Sequence, residues 1–422
     1  MGTKPFRISL WAMAALVLCA GTTFAAEIRG SSTTIPYYWS ESITDEEFNH
    51  LALYEFAQFG AYNVGTPGLD FYFSGWGRYD TMDAMDIDEE SAGDGELGSA
   101  YLRWRQEEGL IDLSLGRSFV AQGPVFLRMD GLQTQFEPVQ GFGLQMFGGI
   151  PVISVVGERN GDFGYGGRLY GGWRNYLEIG LSGASFTEKN DAHRVPLGVD
   201  LTVLPTPYLD LLGHWYYDAL FESNYDIEGT LVVRPVTDLK ILGQYQQLMP
   251  SALLGMGTYF SVFSFENIRK INSEARYTIV NRVVISGEFD HYIYDEIDPA
   301  NRYGGTAGVL WGEARNNTFD VGAFRLDRDD NGYMEYRAYF IQNVGKIFYT
   351  TLDGIFYQLD EKLYEEDQGF NGAGSIGFHV VKGLDIQATG FYAVSPYYEQ
   401  DVRGLLKIAY NYDRVFGEGG MQ

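Results

Sequence analysis

Among side chains able to move a proton, the five histidines of this chain are His50, His193, His214, His291 and His379. General acid–base catalysis needs a partner within hydrogen-bond reach. Asp290 and His291 are adjacent, so on an extended strand they point to opposite faces. His214 and Asp218 share a strand face but stand four residues, roughly 13 Å, apart. Neither spacing makes a dyad, and no GxSxG, HExxH or GxxxxGK[ST] motif occurs. The chain is therefore expected not to be an enzyme.

The stretch Asp327-Arg328-Asp329-Asp330-Asn331-Gly332 has oxygens at alternate positions and a Gly for the sharp turn, the first half of a calcium loop. The second half departs from that pattern: the twelfth position is Ala338, and Glu335 stands at the ninth. A calcium ion held by Asp327, Asp329 and Asn331 on an external loop is one expectation, and a plain Asn-Gly hairpin turn is the other. No other cofactor is expected. Cys19, the single cysteine, leaves no means for a disulfide, a thiolate metal site or a CxxCH haem attachment.

The remaining charges fall into a pattern that identifies the elements carrying them. From Arg282 to Tyr294, Val283, Ile285, Phe289 and Ile293 share one face, while Ser286, Glu288 and Asp290 share the other. From Leu97 to Arg105, Ala100, Leu102 and Trp104 oppose Arg103 and Arg105; from Tyr333 to Asn343, Met334, Tyr336 and Phe340 oppose Glu335 and Arg337. Alternation at period two is the mark of strands with one apolar and one wet face. Aromatic residues make up 16% of the chain and mean hydropathy is −0.16, with 53 glycines. Strands that show lipid only every second side chain explain this combination, because the average stays low while one face is fully apolar.

The N-terminus reads as a secretory signal, with Lys4 and Arg7 before the apolar stretch Ile8 to Ala20 and a small-residue exit at Thr22-Thr23-Phe24-Ala25-Ala26. Cleavage is expected after Ala25, giving a signal peptide at 1–25 and a single mature domain at 26–422. Leu18 before Cys19 is too large for a lipidation site. The net charge of −26 becomes more negative once Lys4 and Arg7 are removed, which excludes nucleic acid as a partner.

An apolar–charged–apolar repeat follows short turns, as in Leu69-Asp70-Phe71, Ile111-Asp112-Leu113, Leu177-Glu178-Ile179, Leu209-Asp210-Leu211, Leu239-Lys240-Ile241, Phe319-Asp320-Val321 and Leu384-Asp385-Ile386. Turns such as Gly65-Thr66-Pro67-Gly68 and Lys382-Gly383 suit tight hairpins. Longer connections are expected at Asp80 to Glu96, Phe119 to Pro138, Met249 to Lys270 and Asp360 to Gly369. The fold class is thus all-β, a transmembrane antiparallel up-and-down β-barrel of about 22 strands, within a range of 18 to 22. A first strand is expected near Ile28 to Ile35 and a last from Arg403 to Phe416, in which Tyr410, Tyr412 and Phe416 resemble the C-terminal assembly signal of bacterial outer-membrane proteins.

Leu115-Gly116-Arg117 leading into a long third connection, together with the aromatic-ended last strand, resembles the porin-like outer-membrane barrels of bacteria. The resemblance implies a channel for passive diffusion of small hydrophilic solutes or ions, and the acidic chain suggests a preference for cations. It also implies that the third connection, 118–138, folds inward, with Arg128 and Asp130 at the constriction; on its residues alone the stretch reads equally as an ordinary external loop. The expected pore-lining set is Arg103, Arg105, Arg128, Asp130, Glu178, Glu288, Asp290, Glu335, Arg337 and Lys407. The segment from Met129-Asp130-Gly131-Leu132 to Phe147-Gly148-Gly149 is similar to barrels that accompany multihaem cytochromes, which implies the alternative of a sheath around such a cytochrome. Expected partners are accordingly outer-membrane lipid and lipopolysaccharide, small solutes, and on the alternative a multihaem cytochrome.

Overall fold

The computed structural model describes residues 27–415 apart from 44–45, 81–92, 107–108, 153–161, 175, 190, 250–266, 296, 313–314, 330 and 397. The expected signal peptide and Phe416 lie outside the described residues, as does most of the 80–96 and 249–270 connections. Every described regular element is a strand. In chain order they are β1 (Glu27–Ile43), β2 (Glu46–Tyr62), β3 (Leu69–Asp80), β4 (Gly93–Arg105), β5 (Ile111–Gln122), β6 (Val125–Val139), β7 (Phe142–Pro151), β8 (Phe163–Trp173), β9 (Leu177–Glu188), β10 (Asp191–Arg194), β11 (Pro196–Thr206) and β12 (Leu209–Asp218). There follow β13 (Ser223–Val236), β14 (Leu239–Leu248), β15 (Ile268–Ile279), β16 (Val283–Tyr294), β17 (Ala300–Trp311), β18 (Asn317–Asp327), β19 (Tyr333–Val344), β20 (Phe348–Leu363), β21 (Glu366–Val381), β22 (Leu384–Ser395) and β23 (Tyr398–Val415).

Each stave pairs antiparallel with the next, and β1 closes the ring on β23 from Glu27 opposite Val415 to Ser40 opposite Val402. Both β10 and β11 pair with β9 and form one stave broken at Val195, so the described strands make a closed barrel of 22 staves. Closure leaves no row of unpaired backbone N–H and C=O groups, the condition for a sheet to stand in hydrocarbon.

Burial is inverted relative to a water-soluble fold. Leu102, Leu115, Leu169, Leu181, Ile285, Leu352 and Ile376 are exposed, while Asp218 and Asp290 are buried. Exposed apolar and sheltered charged residues alternate along the same strands, which fixes the apolar face as outer and the charged face as inner. The apolar–charged–apolar repeat opens strands β3, β5, β9, β12, β14 and β22 on their first residues. Its middle charge turns inward to a neighbouring stave, as when Arg234 donates to Asp210 at 2.6 Å. Glu55 departs from the rule: it lies on the outer face of β2, between Leu53 and Ala57, and accepts hydrogen bonds from Ser32 and Thr34, each at 2.5 Å.

Two expected long connections are strands instead. Residues 119–138 belong to β5 and β6, joined by the two-residue turn Gly123-Pro124, and 360–369 belong to β20 and β21, joined by Tyr364-Glu365. In the second turn both residues take positive φ, 52° and 75°, so a tight hairpin forms without the glycine that usually announces one. The terminal strands are also longer than expected, with β1 reaching Ile43 and β23 beginning at Tyr398.

Candidate functional site

The β5–β6 hairpin leaves the barrel wall. Its two strands pair with each other from Ile111 opposite Phe136 to Gln122 opposite Val125. Pairing of β5 with β4 stops at Arg117, however, and pairing of β6 with β7 stops at Met129. Gly116 sits at the departure with φ 125°, where an added Cβ would lie 2.3 Å from the Ala100 carbonyl oxygen; only glycine holds this bend without strain.

Beyond that hinge the hairpin turns into the lumen and crosses the inner faces of β7, β8, β9 and β11. Val120, Val125 and Met129 form a buried apolar cluster with Phe147 on β7 and Ala184 on β9, against which Leu127 and Phe186 pack. The wall beneath is built of small inward residues. A Cβ added at Gly164 would lie 3.2 Å from Met129 Cε, and one at Gly198 would lie 2.8 Å from Pro124 Cδ. At the far end Tyr225 Oη donates to the Pro124 carbonyl at 3.2 Å. Tyr225 is fully buried, with the Arg194 guanidinium 4.9 Å from its ring centre. Arg194 is fixed in turn by Asp218 at 3.2 Å, a buried carboxylate that also accepts from the Leu220 N–H at 3.0 Å. Tyr225 and Asp218 are both fully buried, and each polar group so placed would be costly to leave unpaired.

The opposite face of the hairpin is open. Phe119 and Phe126 meet edge to face at 4.3 Å, and Phe126 is 79% exposed. Arg128, on the same face, reaches Glu96 on β4 at 2.7 Å, and Arg117 holds Asp130 through two bonds of 2.7 Å. Arg128 thus stands on the inward part of the hairpin, and Asp130 at its root, where it still pairs with Ile150 of β7; neither is on an external loop.

The other charged residues singled out above divide among separate stretches of wall. Arg103 donates to Asp112 at 2.9 Å, with Arg105 3.5 Å from the same carboxylate. Glu178 pairs with Arg168 at 2.7 Å, and Arg168 also engages Asp200. Glu288, Asp290, Glu335 and Arg337 come together around Arg302, which lies 2.8 Å from Glu288 and 3.5 Å from both Asp290 and Glu335, while Arg337 pairs with Glu335. Lys270 and Asn272 complete the shell of Asp290 at 2.9 Å and 2.7 Å. Buried Phe324 underlies both guanidiniums, 4.0 Å from Arg302 and 5.3 Å from Arg337. Lys407 faces inward opposite Gln387. Tyr410 is exposed on the outer face of β23.

At the candidate calcium stretch, Asp327 accepts from Arg325 at 2.6 Å and from the Tyr303 hydroxyl at 2.9 Å, and Asn331 accepts from the Glu361 N–H at 3.1 Å. Asp330 lies outside the described residues. Among the described residues no three His, Cys, Asp or Glu side chains converge as a metal site.

Sequence reasoning missed Arg302, Lys270, Arg168 and Asp200, each inward by strand parity but recognisable as a partner only once register is known. It also missed the cross-strand pair His214–Asp226, 3.1 Å apart, and a set of inward aromatic rings on β1 to β4.

No family model matches the sequence, and no curated protein matches it. Among solved structures the chain is similar to the outer membrane protein opdK from Pseudomonas aeruginosa, at 9% identity over 92% of this chain and 99% of that one with a TM-score of 0.44. It is similar also to a BenF-like porin from Pseudomonas fluorescens Pf-5, at 10% identity over 92% and 99% with a TM-score of 0.45. A third is OccAB2 of Acinetobacter baumannii, at 10% identity over 92% and 98% with a TM-score of 0.43. At that similarity the fold is defined by the hydrogen-bonded closure of the barrel itself. A closed ring of 22 antiparallel staves, apolar outside and charged inside, makes the chain an integral β-barrel of the bacterial outer-membrane type.

Proposed function

We propose that this barrel is a passive outer-membrane channel whose lumen is narrowed by the β5–β6 hairpin and which passes small hydrophilic solutes. The observation that carries the reading is the hairpin itself, anchored by Tyr225 to Pro124 on the inside of a closed wall. Passage then depends on the width left beside the hairpin and on the polar groups that replace the solute's water. The formal charge of −26 supports a bias towards cations, since an acidic chain lowers the potential a cation meets. A sheath around a multihaem cytochrome would need the same lumen that the hairpin enters, so the channel reading is favoured.

The test is ion conductance of the folded, heat-modifiable barrel in a planar bilayer under a salt gradient. A steady conductance with a reversal potential on the cation side is expected. A folded barrel that does not conduct would overturn the channel, and a reversal potential on the anion side would overturn the cation bias.

A further inference from the structure

Inner positions of a water-filled barrel are polar by default, yet the inner faces of β1 to β4 carry a run of aromatic rings. At the end away from Glu27, Tyr37 stacks on Trp39 at 5.3 Å, and Trp39 stacks on His50 at 4.5 Å. Tyr54 and Phe56 continue along β2 at 6.4 Å. Towards the other end Tyr62 meets Tyr72 at 5.5 Å, and Tyr72 stacks on Tyr101 at 4.9 Å. Between the two groups lies a hollow of about 300 Å³ whose lining includes Phe56, Trp76, Ser31, Gln58 and Ser74.

The cations along this wall are already neutralised. Arg78, 5.9 Å from the Trp39 ring and 5.8 Å from that of Tyr54, pairs with Asp80. Arg403 donates to the Tyr37 hydroxyl at 3.4 Å and is paired with Asp401, and Arg103 beside Tyr101 is paired with Asp112. Such pairs present donors and acceptors side by side with no net charge. Phe119 and Phe126, exposed on the open face of the hairpin, look the same way as Arg128, which is tied to Glu96 on β4. Half-buried rings on the β1 to β4 wall, with Phe56 exposed among them, thus stand on the side to which the exposed rings of the hairpin turn.

We infer that this track is a binding path for neutral oligosaccharides, whose C–H faces stack on the rings while their hydroxyls bond the Arg–Asp pairs. The inference rests on the channel reading and names its solute class. The physical basis is complementary: a pyranose ring has an apolar face with weakly positive C–H groups to lay on the negative face of an aromatic ring. Its hydroxyls both donate and accept, as the neutral ion pairs require. A free carboxylate solute would find no unpaired guanidinium on this track and would meet an acidic protein.

The probe is maltohexaose, added to the conducting barrel in a planar bilayer, with block of the ion current followed against concentration. Saturable block is expected, and Trp39→Ala, Tyr72→Ala and Phe126→Ala should each weaken the apparent affinity roughly twofold to tenfold, whereas Leu406→Ala on the outer face should leave it unchanged. A barrel that conducts but shows no saturable block, or block that the three aromatic variants do not weaken, overturns the inference and leaves the channel standing. Saturable block by benzoate and none by maltohexaose overturns the choice of saccharide. If the barrel does not conduct, the channel reading fails, and calorimetric titration of the folded protein with maltohexaose then decides binding: heat that saturates supports the track, and no heat overturns it.

Discussion

At the scale of single residues the inner wall is governed by pairing. Arg302 is the common partner of Glu288, Asp290 and Glu335, and the Asp290 side chain is only 1% exposed. Removing the guanidinium leaves sheltered carboxylates without compensation, so Arg302→Ala should lower unfolding free energy in urea by about 3 kcal/mol; a change within error would show these carboxylates to be hydrated. Glu55 poses the reverse case, a carboxylate facing outward in the apolar band with two hydroxyls as its partners. Glu55→Leu should raise stability by about 1–2 kcal/mol in the same assay, since a charge facing lipid is a cost. The face on which each charge lies was legible from period two alone, as Glu288, Asp290, Glu335 and Arg337 show. The common partner of the three carboxylates was not, because Arg302 sits on a different strand and meets them through register set by pairings many residues apart.

At the scale of elements, some turns that carry Gly or Pro were legible, while one without either was hidden. Lys382-Gly383 separates β21 from β22 as expected, whereas Tyr364-Glu365 adopts positive φ without glycine and so read as part of a long loop. The inward hairpin was concealed differently. Its turn, Gly123-Pro124, is announced in the sequence, but the small residues that make room for it, such as Gly164, Ser182, Ala184 and Gly198, lie on three other strands and gain meaning only when those strands are aligned. Docking rests on the Met129 cluster and on the Tyr225 hydrogen bond. Met129→Ala, which removes most of a buried side chain, should cost about 2–5 kcal/mol of hairpin docking and appear as new current fluctuations in single-channel records. Tyr225→Phe removes one hydrogen bond worth about 1 kcal/mol and should have a smaller effect of the same kind. Quiet records from both variants would mean that the hairpin is held by its hinge alone.

At the scale of the whole molecule, composition and alternation foretold a barrel of about 22 strands, and the structure closes 22 staves. What they left open was the state of the lumen, because a barrel wall repeats the same inside and outside pattern whether the bore is empty, crossed or filled. The hairpin makes the bore asymmetric, with its apolar side spent on the β7 to β11 wall and its open side turned towards β4. The most direct measurement of this account compares single-channel conductance of the folded barrel with that of a variant in which residues 119–126 are replaced by Gly-Gly. A steady conductance that rises severalfold on shortening is expected if the hairpin sets the width of the passage. Equal conductance in the two proteins, or none in either, would contradict it.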